Sequence, residues 1–370
     1  MLERINKAYG FMDKACKKLG GTVNIMEVSG AHTAAAFRCG MRSAFPPGMN
    51  MLSGPGCPIC IADQSYIDTV INLSQRQDCI IALYNNMIRL PGTEGSLESK
   101  AEMANIKIIT RAEDALVLAK ENLSKTVIFA AVGFQASASE IAMVVKEAAE
   151  EKSKNFCLLS AHRLLVPAMK ALLSGKNDKI DALLCSGLES AIIGSDAYKP
   201  IIEQFAMPCV IAGFEPMQII EAVGEICRQI SEQKTEPDRI YAEGITPKGD
   251  ETVLRIISDY FDVTDGLCRG IGNVPDSSLK LKTKYNQFDA ISRFDLKEKG
   301  SQPTKDCQCG QILCGLITPP QCVLFGGDCT SKTPIGPCMA SLEGACGVWY
   351  KYTRAKRTSS QAKSRHAKPD

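Results

Sequence analysis

The chain is poor in several things that would point to common functions. It has one tryptophan, and aromatics make up 6% of it, so no stacking platform for bases or sugars is indicated. Its net charge of +2 provides no large basic surface for nucleic acid. No apolar run approaches the length of a membrane span. The opening MLERINKAYGFMDKACKKLGG is charged throughout and lacks the apolar stretch of a signal peptide. These features predict a cytoplasmic protein that binds neither nucleic acid nor membrane, in a compartment that keeps thiols reduced. No Gly-x-Ser-x-Gly elbow is present, which argues against a serine hydrolase built on Ser29 and His32. No repeat with a period of 20–50 residues suggests a solenoid. Histidine is limited to His32, His162 and His366.

Cysteine, by contrast, is abundant. Seven of the seventeen cysteines, Cys307, Cys309, Cys314, Cys322, Cys329, Cys338 and Cys346, fall in one forty-residue stretch. Packing alone does not require thiols at that density, so the stretch builds a metal centre, a disulfide framework, or both by exchange. The rest of the composition, 45% apolar and 23% charged, is that of an ordinary globular protein. At 370 residues the chain is long enough for two or three domains.

Residues 1–20 read as an amphipathic helix, with Ile5, Tyr9, Met12 and Cys16 near helical spacing and Gly20-Gly21 closing it. Val23 to Val28 reads as a strand, followed by the turn Ser29-Gly30-Ala31-His32-Thr33 and a helix from about Thr33. MNMLSGPGCPICIA repeats that form, and CIIALYNNMIRLPGT is a third strand and loop. TVIFAAVGF starts a second series, with a helix from about Ser139 and further strands in NFCLLSAH, IDALLCSG and PCVIAGFEP. Short apolar runs alternating with helices predict buried parallel sheets with right-handed crossovers. The expected fold is α/β: a first domain over 21–120, a second over 121–240, and a loop-rich domain over 241–352 around the cysteines. A loop-rich domain needs a staple, which a metal cluster supplies. The basic end, 353–370, reads as a solvated tail.

Four cysteines hold one cubane iron–sulfur cluster. Cys309, Cys322, Cys329 and Cys346, with twelve, six and sixteen residues between them, form one such set. Zinc ribbons show paired Cys-x-x-Cys knuckles, and none occurs in this stretch, which tilts the reading toward iron–sulfur. The plain alternative is a cluster that only staples the domain; against it, Cys307 and Cys338 lie nearby as further thiols. Cys314 reads as packing, as do Cys16, Cys79, Cys157, Cys209 and Cys227 in their apolar or helical settings. Cys57-Pro58-Ile59-Cys60 is a Cys-x-x-Cys motif at a helix start, which favours thiolate and reversible disulfide chemistry. Gly54-Pro55-Gly56 before it suggests close backbone approach. His32 lies in the first strand-to-helix loop, where α/β folds place their sites, and is a site candidate. His162 either lines a cleft or caps a helix.

These residues resemble the HypD family of NiFe-hydrogenase maturation proteins. The resemblance runs over nearly the whole chain through NIMEVSGAHT, SGPGCPIC, RLPGTEGSL, SAHRLLVPAMKALL, IAGFEPMQII, GNVPDSSLKLK and PIGPCMASLEGAC, and through the cysteine spacing. It implies two Rossmann-like α/β domains and a 4Fe-4S domain. It also implies a scaffold on which a transient mononuclear iron receives carbon monoxide and two cyanides, with HypC-like and HypE-like partners. Carried over, Cys309, Cys322, Cys329 and Cys346 are the cluster ligands. Cys57 and Cys60 form the first redox pair, Cys307 and Cys338 a pair beside the cluster, and His32 is the first-loop histidine.

The chain departs from the family pattern at three strand-end loops. Ser29 stands where the family has Cys in Met-Glu-Val-Cys-Gly, the expected protein ligand to the iron under assembly, and a hydroxyl is a poorer ligand than a thiolate. The family's Gly-Phe-Glu-Thr-Thr-Ala-Pro is Gly133-Phe134-Gln135-Ala136-Ser137-Ala138-Ser139, which loses a carboxylate. The family's Cys-Pro-Gly-His is Cys185-Ser186-Gly187-Leu188, which loses an imidazole. Two accounts follow: a maturation factor with an altered ligand set, or a divergent paralogue that keeps the redox path for another client. A purely docking scaffold fits less well, because docking needs no thiol pairs.

Overall fold

The computed structural model describes residues 1–103, 105–175, 179–235, 240–296 and 306–353. The expected basic tail, 353–370, lies outside the described residues except for Thr353.

Two parallel sheets organise the chain. Their strands, in order, are β1 (Val23–Glu27), β2 (Met49–Ser53), β3 (Cys79–Tyr84), β4 (Ile106–Ile109), β5 (Thr126–Ala131), β6 (Phe156–Ser160), β7 (Ala182–Ser186), β8 (Cys209–Ala212) and β9 (Ile240–Tyr241). One sheet has the order β9-β8-β7-β1-β2 and the other β4-β3-β5-β6, and neighbours in both are parallel. Most strand residues are buried, as expected of strands covered on both faces.

The α/β class and the parallel sheets agree with the sequence. The division at residue 120 does not. The chain lays down β1 and β2, crosses to build the whole second sheet, and then returns to complete the first with β7, β8 and β9. Register shows the return: Ile25 pairs with Met51 on one side and Ala182 on the other. Alternating apolar runs identify strands and their direction, but every run is equally apolar, so nothing local says which sheet a strand joins.

The helices that matter for the site are α1 (Leu2–Lys18), α2 (Gly30–Arg38), α3 (Pro58–Ile61), α4 (Gln64–Ser74), α5 (Gln135–Glu150), α6 (Gly187–Ile193) and α7 (Pro216–Glu232), with α8 (Glu251–Tyr260), α9 (Cys309–Leu313) and α10 (Pro337–Ala340) later. α1 buries Ala8, Met12, Ala15 and Cys16, one helical face. It packs on α7, where a Cβ at Gly224 would lie 2.6 Å from Ala8 Cβ. The N-terminal helix is thus part of the first sheet's cover rather than a unit of its own.

The region from 241 onward is more regular than its glycines and prolines suggest. β10 (Phe261–Cys268) and β11 (Gly272–Leu281) form an antiparallel hairpin. Pro275 and a register shift between Thr264 and Gly266 break its alternation, which masks it in the sequence. The hairpin ties the molecule together. Arg269 N–H donates to Ile61 O (2.8 Å) beyond α3, and Leu164 N–H donates to Ser277 O (2.8 Å) beyond β6. Its tip meets the cysteine segment where Gly270 and Gly310 touch, a contact in which neither has room for a side chain.

Candidate functional site

The Cys-x-x-Cys motif is placed by glycine. A Cβ at Gly56 would lie 2.3 Å from Ser29 N, so only glycine lets this loop press on the turn after β1. Cys57 then caps α3: its Sγ accepts from Cys60 N–H at 3.2 Å, with Pro58 in the first helical position. Cys57 and Cys60 are joined as a disulfide, with Cα atoms 5.2 Å apart. Both are buried. Cys57 Sγ also lies 3.3 Å from Ser341 Oγ, a residue 284 positions away.

The C-terminal cysteines gather on the far side of Ser341. Cys307, Cys309, Cys322, Cys329 and Cys346 line one pocket with Ile312, Leu324, Phe325 and Met339. Cys307 Sγ is 3.3 Å from Cys309 Sγ, and Ile335 N–H donates to Cys329 Sγ at 3.4 Å. A Cβ at Gly336 would come within 2.5 Å of Cys307 Sγ and 2.6 Å of Cys309 Sγ, so this glycine forms the wall against which both thiols lie. As free thiols they raise one another's pKa: Cys346 through its hydrogen bond with Cys309 and then burial, Cys329 through burial.

The donor set has the chemistry of a soft-metal site, thiols in an apolar wall with backbone N–H groups aimed at sulfur. The space enclosed is about 10 Å³, so the thiols close on one another. Among the described residues no group of three His, Cys, Asp or Glu side chains already stands in metal-binding geometry.

Cys338 and Cys307 are not bonded to each other. Cys338, fully buried on α10, packs where α10 meets α3. Cys307 is half-buried beside Cys309. The Cys57–Cys60 disulfide, Cys338 and the four expected ligand cysteines nevertheless share one continuous buried core. Arg269, at the hairpin tip, completes the join. Its Nε donates to Cys60 O at 3.1 Å and its Nη2 to Gln64 Oε1 at 3.3 Å, and it lines a groove that reaches Cys307 and Cys309. A separate cavity of about 490 Å³ lies beside Arg163 and Lys280. It is far roomier than the cysteine pocket, but Arg163 already donates to Leu267 O and Ser278 Oγ there.

His32 stands on the other side of the Ser29 turn, on α2. Its Nε2 donates to Ala212 O (3.2 Å) and Gly213 O (3.0 Å), which fixes the tautomer. Nδ1 is left as a buried acceptor without a protein partner. Burial lowers its pKa to about 4, so the ring is neutral at neutral pH. Ser29 Oγ accepts from Ala31 N–H at 3.3 Å and caps α2. Cys39 sits at the opposite end of α2, exposed. Below the turn, Glu27 is buried with Thr33 Oγ1 donating to it (2.7 Å) and Arg42 paired to it. Ser53 links this group to Trp349 of the C-terminal segment: Trp349 Nε1 donates to Ser53 Oγ at 3.2 Å.

Sequence reading missed Ser341, Arg269 and the Glu27–Arg42 pair. Ser341 and Glu27 had a local hint, their places in the PCMASLEGAC and NIMEVSGAHT motifs.

The site and fold define a two-sheet α/β protein with a buried disulfide next to a cysteine-lined pocket. The HypD family model, described as "Hydrogenase formation hypA family", matches residues 3–353. The chain is 36% identical over 338 residues to hydrogenase maturation factor HypD2 of Bradyrhizobium diazoefficiens, covering 89% of each chain. It is 34% identical to hydrogenase maturation factor HypD of Azotobacter vinelandii, with 90% of each covered. It is 34% identical to hydrogenase maturation factor HypD of Escherichia coli, with 89% of each covered. The chain belongs to the HypD family. No helix among the described residues is long and apolar enough to cross a membrane.

Proposed function

We propose that the protein is a cytoplasmic iron–sulfur scaffold of NiFe-hydrogenase maturation that works with HypC-like and HypE-like partners. The observation that carries this reading is the single buried core shared by the Cys57–Cys60 disulfide and the cysteine pocket. Cys309, Cys322, Cys329 and Cys346 hold a 4Fe-4S cluster, which supplies electrons one at a time when bound. With two electrons supplied singly by an external low-potential donor and two protons from solvent, the Cys57–Cys60 disulfide becomes two thiols. Cys338, between α3 and the pocket, and Cys307, at its rim, are the thiols that face this transfer. The reduced Cys57 and Cys60 then hold iron, the substrate, while diatomic ligands are delivered to it. His32, neutral and with Nδ1 open, provides an acceptor on the adjoining turn.

A second reading rests on Ser29. Its hydroxyl is engaged in capping α2, where the family pattern offers a thiolate to the iron. A divergent paralogue would keep the disulfide and cluster and serve another metal centre or thiol client. Infrared spectroscopy of the anaerobically purified protein, co-expressed with HypC and HypE partners, separates the two. Bands of metal-bound carbon monoxide and cyanide support the maturation scaffold. Their absence, with iron and sulfide present and a HypD control showing bands, supports the paralogue.

A further inference from the structure

One buried carboxylate joins the two sheets at their strand ends. Glu189 lies on α6, directly after β7 of the first sheet, and is 5% exposed. Its Oε1 accepts from Gln135 N–H at 2.9 Å and its Oε2 from Ala136 N–H at 3.1 Å. Those are the first two amides of α5, which follows β5 of the second sheet. α5 is sixteen residues long, and its own N-cap residue, Phe134, supplies no side-chain cap. The first-turn amides of such a helix need acceptors and favour negative charge. Here both come from the other sheet.

The neighbouring side chains do not take these two amides. Gln135 Oε1 is buried without a protein partner, and Ser137 Oγ is 3.2 Å from His162 Nε2. His162 Nδ1 is 3.0 Å from Ser160 Oγ. Gly133 is pressed between Ser137 and His162, where a Cβ would clash with both. The 133–137 loop is therefore pinned at three points, and the only charged one is Glu189. In the family pattern the acidic side chain belongs at 135 itself. In this chain 135 is an amide, and the carboxylate faces it from the opposite loop.

We propose that Glu189 is a positioning residue that caps the first turn of α5 from the other sheet, fixing the 133–137 loop to the end of the first sheet, where the family resemblance would put the carboxylate at 135. An acidic residue at both positions would place two carboxylates at one helix end, where they cannot both ionise freely. A two-residue exchange is therefore expected, in which a carboxylate at 189 goes with a neutral residue at 135. Burial pushes the Glu189 carboxyl up to about 7, and the two amides pull it back, so this carboxylate is sensitive to any change in that pair.

The test is a four-way comparison in the full-length protein: parent, Glu189→Gln, Gln135→Glu and the double exchange, with Glu189→Asp as a conservative control. Hydrogen exchange at the Gln135 and Ala136 amides is read by mass spectrometry, at a temperature where all are folded. Loss of two charge-assisted bonds predicts exchange about 10-fold or more faster in Glu189→Gln. Gln135→Glu is expected to be faster too, and the double exchange to recover most of the parent's protection. Hydrogenase maturation in a host lacking its own HypD is read alongside, and is expected to fall in both single variants and recover in the double. Unchanged exchange in Glu189→Gln, or a double variant no better protected than Glu189→Gln, would overturn the proposal. The maturation arm rests on the function proposed above. If the parent itself fails to mature a hydrogenase while the exchange pattern holds, that function is refuted and the positioning role stands.

Discussion

The thiol core and the strand-end loops differ in what they keep. Around the disulfide and the cysteine pocket, the residues that the family resemblance singles out are all present, and the fold buries the disulfide, Cys338 and four pocket thiols in one core. In the strand-end loops after β1, β5 and β7, Ser29, Gln135 and Leu188 stand where the family resemblance expects a thiol, a carboxylate and an imidazole. Two of the three altered positions have local partners at their backbone or side chain. Ser29 caps α2, and Gln135 is matched by Glu189. The contrast teaches that the thiol core and the strand-end loops differ in how freely their residues can be exchanged. The first rests on soft donors in an apolar wall, where few residues substitute for cysteine. The second rests on polar loops, where a hydroxyl or an amide can be accommodated by its neighbours.

The largest effect is expected in the core. Cys322→Ala removes one of the four expected ligands and should abolish bound iron and sulfide, measured by chemical analysis and visible absorption. It should also destabilise residues 306–353, because metal binding to such a site is folding free energy, typically several kcal/mol. Full iron and sulfide in this variant would remove Cys322 from the ligand set and merge the two regions in the comparison. Cys57→Ala is expected to act on function alone. Maturation should fall below detection while iron and sulfide stay at the parent level, since Cys57 lies outside the pocket walls. A fully active Cys57→Ala protein would sever the disulfide from the pathway.

How much of this was legible in the sequence depends on chain distance. The strands, their parallel direction and the helix at α1 follow from local apolar spacing, and all three are found. Strand partners do not: β1 sits between β2 and β7, and no residue near Ile25 encodes that choice. The start of α5 shows the same limit. Local pattern puts it near Ser139, whereas the helix begins at Gln135, because its cap is a carboxylate 54 residues away. Arg269 reaches Cys60 O across 209 residues and Ser341 meets Cys57 across 284. The cysteines were conspicuous because their type and density are abnormal. Glu189, Arg269 and Ser341 are ordinary residues made important by folding.

The strand-end loops are open to a gain-of-function test. Ser29→Cys restores a thiol on the β1 turn, at a cost of about 1 kcal/mol for the weaker helix cap. In the infrared experiment the variant should show stronger metal-bound carbon monoxide and cyanide bands than the parent, with unchanged iron–sulfur absorption. Equal bands in both would mean that Ser29 is not what separates these loops from those of the relatives.

The smallest effect concerns protons and separates the two histidines from the carboxylate. Burial lowers His32 to about 4 and His162 to about 3, with Arg163 adding to the latter. Each ring is neutral in the fold, and its folded pKa lies below the unfolded value near 6.5. The unfolded chain therefore binds more protons, and the stability tied to neutral imidazole is present above pH 6.5 and lost as pH falls toward 4 and then 3. Glu189 has the opposite sign. Its carboxyl is raised to about 7, so its contribution is present below the unfolded value near 4.5 and lost as pH rises through 7. Between these limits the terms oppose each other. Unfolding free energies from urea titrations between pH 7.5 and 4 should fall on the acid side, by about 3 kcal/mol for each histidine by pH 4. His162→Gln should flatten that acid fall. Glu189→Gln should steepen it, because the carboxyl that gains stability on acidification is gone. An acid limb that His162→Gln leaves unchanged would mean that His162 is hydrated enough to charge in place, and that the second sheet's strand end is wetter than its packing implies.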